Sequence, residues 1–379
     1  MAIPTFEEDI MNKKWLMLAA SAMLLPLNGA LAAENTPSNE ELYEIIKAQQ
    51  EEIDSLVGKR ENVSDGSTSI GGYGELHYNS LDSGDEIDFH RFVLFFNHEF
   101  NSDIRFFSEV ELEHALAGEG KPGEIELEQA YVEFDVTERT RIKGGLFLMP
   151  VGLLNETHEP NTFYGVERNP IEKNILPTTW WEGGVAVTGN FGSSGLSYDL
   201  GVHSGLNTDD TFAIRGGRQK VAEAVAEELA YSGRLKYTGI AGLEIAASFF
   251  HQGDLTQGTV PQSDAGTLIE THVRWNNGPL TLTALYAGWS IDGDAPAAIE
   301  RDKQDGYYGE ASWRFNQQFG VFVRQGAWDN GGIGETEISQ TNIGFNYWPH
   351  KNVVVKFDIM EQDDAGNDEG FNLGIGYQF

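Results

Sequence analysis

The last ten residues, 370–379, alternate between apolar side chains and small or polar ones. The apolar positions are Phe371, Leu373, Ile375, Tyr377 and Phe379. A period of two predicts a β-strand with one apolar face and one polar face. Because the same alternation returns from residue 69 onwards, we expect the whole region to consist of such strands.

About sixteen alternating segments follow one another, each near the length that a tilted strand needs to cross a bilayer. They are 69–79, 86–98, 104–114, 125–136, 139–149, 182–191, 195–205, 229–238, 242–252, 267–277, 279–289, 306–316, 319–328, 337–348, 351–360 and 370–379. Every second connection is a short run of turn residues: 101–103, 137–138, 192–194, 239–241, 277–278, 316–318 and 349–350. The others are longer and mostly acidic: 80–85, 115–124, 150–181, 206–228, 253–266, 290–305, 329–336 and 361–369. This sorting predicts an all-β fold, a transmembrane antiparallel β-barrel with both chain ends on the periplasmic side.

The polar faces of the strands carry charge, which decides the medium that they face. On 104–114, Ile104 and Phe106 alternate with Arg105. Glu109, Glu111 and Glu113 lie on the same face of the strand as Arg105. Unpaired charge inside a packed core is expensive, so we expect the polar face to line water and the apolar face to contact lipid. Sixteen strands are enough to leave an open channel. The charged residues predicted to line it are Arg105, Glu109, Glu111, Glu113, Glu133, Arg141, Lys143, Arg234, Lys236, Arg274, Arg314, Arg324 and Lys356.

The signs of these inward charges are unevenly distributed along the chain. The basic residues come mostly from the second half of the barrel, whereas the acidic residues, with Asp135, come from the third and fourth strands. Opposed walls of unlike sign would create a field across the lumen that sets ion preference. The alternative is that neighbouring charges pair. A slip of one residue in register would reverse the assignment.

The longest connection, 150–181, combines four prolines with many apolar residues. A loop this long and this apolar is expected to fold against another part of the protein, and the inside of the barrel is the natural place. Six charged residues would then border the constriction: Glu156, Glu159, Glu167, Arg168, Glu172 and Lys173. The alternatives are a loop that plugs or caps the barrel, or one that packs at a subunit contact.

Aromatic residues cluster near the ends of the predicted strands. Among them are Tyr73, Trp180, Trp181, Trp275, Trp313, Tyr347, Trp348 and Phe379. Such clustering is typical of the belts that membrane proteins place at the two membrane surfaces, although aromatics also favour strands in general. We expect these side chains to belong to such a belt.

The residues before the strands divide into three segments. Residues 1–33 have a basic start at 11–14, an apolar run at 15–27 and a small-x-small motif at 30–32, which predicts a signal peptide with its true start at Met11. Residues 34–58 repeat apolar positions at helical spacing. This periplasmic helix either packs on its own barrel or forms a short coiled coil between protomers. A polar linker, 59–68, leads into the barrel, 69–379.

Composition limits the possible partners and chemistry. The 379 residues include no cysteine, and 25 basic against 59 acidic residues give a net charge of -34, which excludes nucleic acid as a partner. The acidic balance indicates a solvated surface, a preference for cations in the pore, or metal bridging to anionic lipid. The histidines, including His77, His90, His114 and His158, show no metal-ligand spacing, and 363–369 lacks EF-hand spacing. We predict no catalytic residue, no metal and no cofactor, and therefore no enzyme.

Several stretches resemble the phosphate-selective porin O/P family. They are HRFVLFFNHEFNSDIRFFSEVELEH from His90, EQAYVEF from Glu128 and KGGLFLMPVG from Lys143. The resemblance implies passive diffusion, a homotrimer, and recognition of the last strand by the barrel-assembly machinery through Tyr377 and Phe379. The third loop of that family is rich in Arg and Lys, whereas this one offers Arg168 and Lys173 among several glutamates. Phosphate selectivity is therefore not inferred.

Taken together, these patterns predict an outer-membrane porin, a passive channel for ions and small hydrophilic solutes. Its surroundings would be outer-membrane lipid and lipopolysaccharide, since the export signal and the barrel place it in the outer membrane of a bacterium. The alternative is a surface binding or adhesion barrel with a blocked lumen, whose acidic loops engage a partner.

Overall fold

A computed structural model describes residues 66–363 and 368–379, which form one closed barrel of sixteen antiparallel strands. The strands are β1 (Ser67–Leu81), β2 (Gly84–Glu99), β3 (Ile104–Glu113), β4 (Ile125–Thr137), β5 (Thr140–Leu148), β6 (Trp181–Asn190), β7 (Leu196–His203), β8 (Ala230–Tyr237), β9 (Leu243–Gln252), β10 (Gly266–Asn277), β11 (Leu280–Ile291), β12 (Lys303–Arg314), β13 (Phe319–Asp329), β14 (Glu337–His350), β15 (Val353–Asp363) and β16 (Asp368–Gln378). Two short helices lie between strands, α1 (Pro170–Asn174) and α2 (Asp294–Ala298), with a 3-10 turn at Arg215–Gly217. The predicted all-β barrel is confirmed. The expected signal peptide, the helix at 34–58 and residues 59–65 of the linker lie outside the described residues.

The terminal strand closes the barrel. β16 pairs with β1 in antiparallel register, with Leu76 opposite Ile375. The ladder extends to the last residue, because Gly72 N donates to Phe379 O at 3.0 Å and Phe379 N donates to Gly72 O at 2.9 Å. Every strand therefore has two hydrogen-bonded neighbours, and no edge is left open.

The connections divide into short turns at one end of the barrel and mostly longer loops at the other. We call these the turn end and the loop end. The prediction for 80–85 was wrong, because β1 continues to Leu81 and β2 begins at Gly84. Only two residues remain between them, and Ser83 Oγ donates to Asp368 Oδ2 at 2.9 Å. The polar composition of this stretch reflects strands that extend into solvent rather than a longer loop.

The two faces of the strands differ as the alternation predicted. Ile125, Ile343 and Ile359 are 72%, 56% and 55% exposed on the outside, whereas the neighbouring Asn342 and Asp358 are buried on the inside. Four aromatics do not join the outer belt: Tyr73, Trp180, Trp181 and Trp348 are buried. For them the prediction was wrong, since position near a strand end does not decide on which side the side chain lies. Among the described residues, no helix is long and apolar enough to cross a bilayer.

Part of the barrel interior is a packed apolar core. Inward side chains of β9 and β11, among them Phe250 and Trp289, meet Trp180 from the loop 149–180, with the Trp180 and Phe250 ring centres 5.1 Å apart. Trp289 Nε1 donates to Ile175 O at 2.9 Å. The expectation of a polar inner face throughout was therefore wrong at the loop end of these strands, where loops cover the wall instead of water.

Candidate functional site

The loop between β5 and β6, residues 149–180, lies inside the barrel, and we call it the inner loop. Glu167 Oε1 accepts hydrogen bonds from His77 Nδ1 at 2.9 Å and Asn79 Nδ2 at 3.1 Å on β1. On β13, Arg324 Nη2 donates to Tyr164 O at 2.6 Å. Because β1 and β13 belong to different parts of the wall, these bonds hold the loop across the lumen.

A buried carboxylate organises the fold of the inner loop. Asn169 caps α1 by accepting from Ile171 N, and Pro170 supplies the first helical residue. Glu172 then accepts from the backbone N–H groups of Leu153 and Leu154 at 2.9 and 2.5 Å. Tyr308 Oη on β12 donates to the same side chain at 2.9 Å.

Glu172 was predicted to border the opening, but its side chain is fully buried. Burial raises its pKa, and the hydrogen bonds from Leu154, Tyr308 and Leu153 oppose that rise without cancelling it. The prediction was wrong because a carboxylate that organises its own loop looks, in sequence, like one that faces water.

Two glycines on the inner face of β16 let the inner loop approach the wall. A Cβ built on Gly374 would lie 3.0 Å from Val166 Cγ1, and one on Gly376 would lie 2.4 Å from Pro160 Cβ. Side chains at these positions would push the loop towards the middle of the lumen. The alternation of residues 370–379 thus combines a lipid-facing apolar face with a bare inner face that receives the loop.

The other predicted constriction residues have distinct partners. Glu156 pairs with Arg234 on β8 at 2.5 Å, and Glu159 is half-buried. Arg168 Nη1 donates to Thr179 Oγ1 at 3.0 Å, while the backbone carbonyl of Lys173 accepts from Arg215 at 2.8 Å.

Glu167 is set apart from these residues by its electrostatics. Burial alone would raise the pKa of Glu167, but the hydrogen bond and charge of His77 hold that pKa well below the ordinary value. The carboxylate is therefore charged at neutral pH and fixed on β1.

Many of the predicted lining charges neutralise one another. Arg105 contacts Glu133 at 2.7 Å and also pairs with Asp135, which Arg141 meets at 3.1 Å. The same holds on the other side of the barrel. There Arg234 also pairs with Asp199 at 2.8 Å, and Arg324 pairs with Glu310 at 2.7 Å. Local pairing of this kind is the arrangement that the sequence left open as an alternative to opposed charged walls.

Four cations in the half of the lumen near the turn end lack such partners. Within residues 66–363 and 368–379, Lys143, Lys236, Arg274 and Arg314 form no salt bridge with a carboxylate. Lys143 lies 4.8 Å from the ring centre of Phe147, and Arg314 lies 4.1 Å from that of Trp348. An aromatic face stabilises a cation without cancelling its charge.

Three predicted lining residues point inward but do not reach channel water. Glu109 and Glu111 are 2% and 1% exposed, and Lys356 is 2% exposed beneath the ring of Phe163, with Nζ 3.5 Å from its centre. For these three the prediction was wrong, because strand parity gives the side of the wall but not what covers it.

A second loop, 204–229, adds basic residues that sequence reasoning missed. Lys220 pairs with Glu124 at 2.7 Å and with Glu126, beside the predicted Glu113. Burial and the neighbouring Arg218 lower the pKa of Arg215 to about 10. The loop 204–229 folds into the lumen because its residues Leu206, Phe212 and Ile214 are buried in the apolar core. These apolar residues were the signal available in the sequence.

A cavity lies beside β10–β13, between the inner loop and the wall. It has a volume of about 190 Å³ and is lined by Arg274 and Thr283 on the wall and by Phe163 and Tyr164 on the inner loop. It lies in the half of the barrel that holds the unpaired cations. The predicted assembly residues stand elsewhere, on the outer face at the turn end, where Phe379 is 60% exposed and Tyr377 half-buried.

Comparison with known proteins adds family and fold. Residues 69–369 match the family described as phosphate-selective porin O and P. An uncharacterized protein of Aquifex aeolicus is 28% identical over 364 residues, covering 82% of this chain and 80% of its own. The anion-selective porin from Comamonas acidovorans has a TM-score of 0.58 at 13% identity, covering 83% of this chain and 100% of its own. In-vitro folded OmpT of Vibrio cholerae, in its trimer form, has a TM-score of 0.56 at 10% identity with the same coverage.

Proposed function

The chain belongs to the phosphate-selective porin O and P family and is an outer-membrane channel for ions and small solutes, and we propose that its inner loop sets the width of the passage while four unpaired cations give it a preference for small anions. The family and the fold indicate a channel rather than an enzyme. Transport is passive, so the selectivity must come from the geometry and charge of the lumen.

One observation carries the proposed constriction: the inner loop is bonded to the wall from inside at separate strands. Glu167 of the loop contacts β1, Glu156 contacts β8 and Tyr164 contacts β13. These contacts leave the inner loop little freedom to move out of the lumen. Solutes must then pass between the loop and the remaining wall, where the cavity beside β10–β13 lies.

The proposed anion preference rests on the balance of charges in the half of the lumen near the turn end. There the carboxylates Glu133, Asp135, Asp199 and Glu310 are paired with arginines, and Glu244 is paired with His272. Lys143 and Arg314 lie over aromatic rings, whereas Lys236 and Arg274 lie near Glu244 without forming a salt bridge among the described residues. A field inside a narrow, low-dielectric passage acts on ions more strongly than charges on the outer loops do. The lumen therefore outweighs the net charge of -34.

Planar-bilayer recording tests both parts. We expect stepwise conductance from purified protein and a reversal potential, in a potassium chloride gradient, of the sign that chloride preference gives. Lys236→Gln with Arg274→Gln should move that potential towards cation preference, whereas Arg139→Gln, in the exposed turn after β4, should leave it unchanged. Cation preference of the unmodified protein would refute the assignment, and absence of steps would refute an open passage.

The orientation and assembly of the chain extend the same proposal. Residues 1–33 direct export, 34–58 form a periplasmic helix joined by 59–68, and the turn end faces the periplasm. The barrel forms a homotrimer surrounded by outer-membrane lipid and lipopolysaccharide. The barrel-assembly machinery recognises the last strand through Tyr377 and Phe379. Support comes from OmpT, whose structure was solved in a trimer form. Deletion of residues 39–57, followed by measurement of the mass of the native oligomer, tests whether the helix contributes to assembly. An unchanged yield of trimer would reject that role.

A further inference from the structure

A buried polar cluster joins the inner loop to the wall behind the passage. His158 of the loop faces Glu109 on β3 and Glu128 on β4, and all three residues are at most 2% exposed. One ligand-type atom of each lies within 4.8 Å of the others. None of the three contacts the cavity beside β10–β13.

The distances in this cluster are longer than those of most hydrogen bonds between charged groups. His158 Nε2 lies 3.5 Å from Glu109 Oε1 and 3.3 Å from Glu128 Oε2, whereas hydrogen bonds between charged groups measure about 2.7–2.9 Å. A tetrahedral ion with bonds of about 2.0–2.2 Å separates its ligand atoms by about 3.3–3.6 Å. The observed spacing fits two ligands of one ion better than a donor and its acceptor.

The ligand atoms are left without other partners. In the part of the chain that the structure describes, His158 Nε2, Glu109 Oε1 and both carboxylate oxygens of Glu128 are buried and accept or donate no hydrogen bond. Both oxygens of the neighbouring Glu111 are in the same state. Buried polar atoms are satisfied in the great majority of cases, and a cation bound between these atoms would satisfy them.

The surroundings orient these ligands as they do in metal sites. His158 Nδ1 donates to Asn155 O at 3.1 Å, which leaves the lone pair of Nε2 directed at the carboxylates. Gln129 Nε2 donates to the second oxygen of Glu109 at 2.8 Å. Metal-binding imidazoles and carboxylates characteristically make such outer hydrogen bonds.

A β-bulge brings the two wall ligands together. Glu109 pairs with Gln129, whereas the next residue of β3, Val110, pairs with Leu127, so Glu128 is the extra residue. Bulges are frequent next to functional sites because they redirect a side chain. Here the bulge places Glu128 and Gln129 side by side on the inner face, one as a ligand and the other as the donor to Glu109.

The charge at the cluster also calls for a cation. Glu109, Glu111 and Glu128 bring three carboxylates, while Arg91 contacts Glu75 at 2.8 Å and Glu111 at 3.7 Å. Arg91 thus forms its salt bridges with the other acids, and His158 is the one cationic side chain that forms a salt bridge with Glu109 and Glu128 within residues 66–363 and 368–379. Uncompensated buried charge is costly, and a divalent ion with two carboxylates is neutral.

A second group of possible ligands, Asp88, His90 and His114, lacks these features. His90 Nδ1 and His114 Nδ1 lie 3.0 and 2.8 Å from Asp88 Oδ2, at ordinary hydrogen-bond lengths. Their polar atoms satisfy one another without an ion. The group therefore serves as a matched control within the same barrel.

We propose that Glu109, Glu128 and His158 form a structural site for a divalent transition-metal ion, which fastens the inner loop to the wall formed by β3 and β4. One imidazole with carboxylates suits ions such as Zn²⁺, whereas Ca²⁺ prefers an all-oxygen set. The site lies outside the passage and serves to hold the loop in position rather than to bind the transported solute.

Metal content and cobalt spectroscopy test the site on the full chain, folded and purified without chelator. We expect one Zn²⁺ per chain by mass spectrometry of metals, no retention of Ca²⁺, and an intense tetrahedral absorption when Co²⁺ replaces Zn²⁺. Glu128→Gln and His158→Gln should raise the Kd for Zn²⁺ by more than about 10-fold, since even disturbed neighbours of a ligand have that effect. His114→Gln should bind as the unmodified protein does.

Removal of the ion supplies a second readout. A chelator should increase the current fluctuations of the unmodified channel and leave His158→Gln unchanged, because that variant has already lost the fastening. Heat-modifiable migration on a gel reports whether each variant barrel is folded. If Glu128→Gln or His158→Gln does not fold, Glu109→Gln is used in its place. A folded chain that retains no Zn²⁺ would overturn the site and assign the cluster to a proton shared by His158 and the carboxylates. Binding lost in His114→Gln but kept in Glu128→Gln would also overturn it.

Discussion

Glu167 shows how a single residue can hold the geometry of the passage. It binds His77 and Asn79 of β1 from the tip of the inner loop. Its pKa in the folded protein lies below the ordinary value of about 4.3. The ionised form therefore stabilises the attachment fully above that value, and the stabilisation is lost as the pH falls from there through the lower pKa of the folded protein.

The corresponding prediction concerns the acid response of the channel. Conductance fluctuations of the unmodified protein should rise only when the pH is lowered well below about 4, because His77 keeps Glu167 ionised until then and protonation removes the charged contact. Glu167→Gln should show high fluctuations at all pH values. Glu159→Gln removes a carboxylate from the same loop but keeps the bond to β1, so it should retain the acid transition. An unchanged pH profile in Glu167→Gln would assign the transition to another group.

At this scale the sequence predicts which side of the wall a residue faces, but not what covers it. Parity placed Arg105 and Lys143 inward, and the same rule placed Glu109 and Lys356 there. Only the first pair lies outside the region that the inner loop covers. Covering depends on contacts between residues far apart in the chain, such as Phe163 with Lys356, which no local pattern encodes.

Among the elements, the pairing of the inner loop with β16 offers a direct test of its position. The Cβ atom of Val166 lies 3.6 Å from a Cβ built on Gly374, within the range of about 3.5–4.5 Å that disulfides adopt. The chain has no cysteine. Val166→Cys with Gly374→Cys therefore introduces a single possible disulfide.

We expect this double variant to form the disulfide during export and to show smaller current fluctuations than the unmodified channel. A reductant should restore the fluctuations in the double variant and should have no effect on either single-cysteine variant. Mass spectrometry of the linked peptides measures the bond itself. Free thiols at both positions in a folded barrel would show that the loop does not rest on β16.

The elements themselves were largely predictable, because alternation and turn residues are local signals. Two features were not. The connection at 80–85 is polar because β1 and β2 extend beyond the barrel wall. The inward apolar residues of β9–β11, such as Phe250 and Trp289, break the polar inner face because loop residues pack on them. Both depend on how far the loops and strands extend in space rather than on periodicity.

For the molecule as a whole, closure of the barrel depends on its last residue. The two backbone hydrogen bonds between Phe379 and Gly72 complete the β1–β16 ladder, while the side chain stays exposed at the turn end. Deleting Phe379 should lower the yield of folded barrel several-fold, as measured by heat-modifiable migration. Phe315→Ala matches it in position at the turn end and in exposure, at 60% each, and should leave the yield unchanged. An equal loss of folded barrel in both variants would show that Phe379 contributes only as exposed apolar surface.

The whole-molecule charge and the lumen charge make opposite demands, and salt separates them. Screening acts over about 10 Å at 0.1 M and about 3 Å at 1 M, so the acidic outer loops should lose their influence first, whereas cations lining a narrow passage keep theirs. We therefore expect the reversal potential to report anion preference at both concentrations. The ratio of chloride to potassium permeability should be larger at 1 M, because the outer charges are then screened. A preference for cations at 0.1 M that disappears at 1 M would show that the net charge of -34 governs entry. A preference for cations at both would place the selecting charges on carboxylates of the lumen rather than on the four unpaired cations.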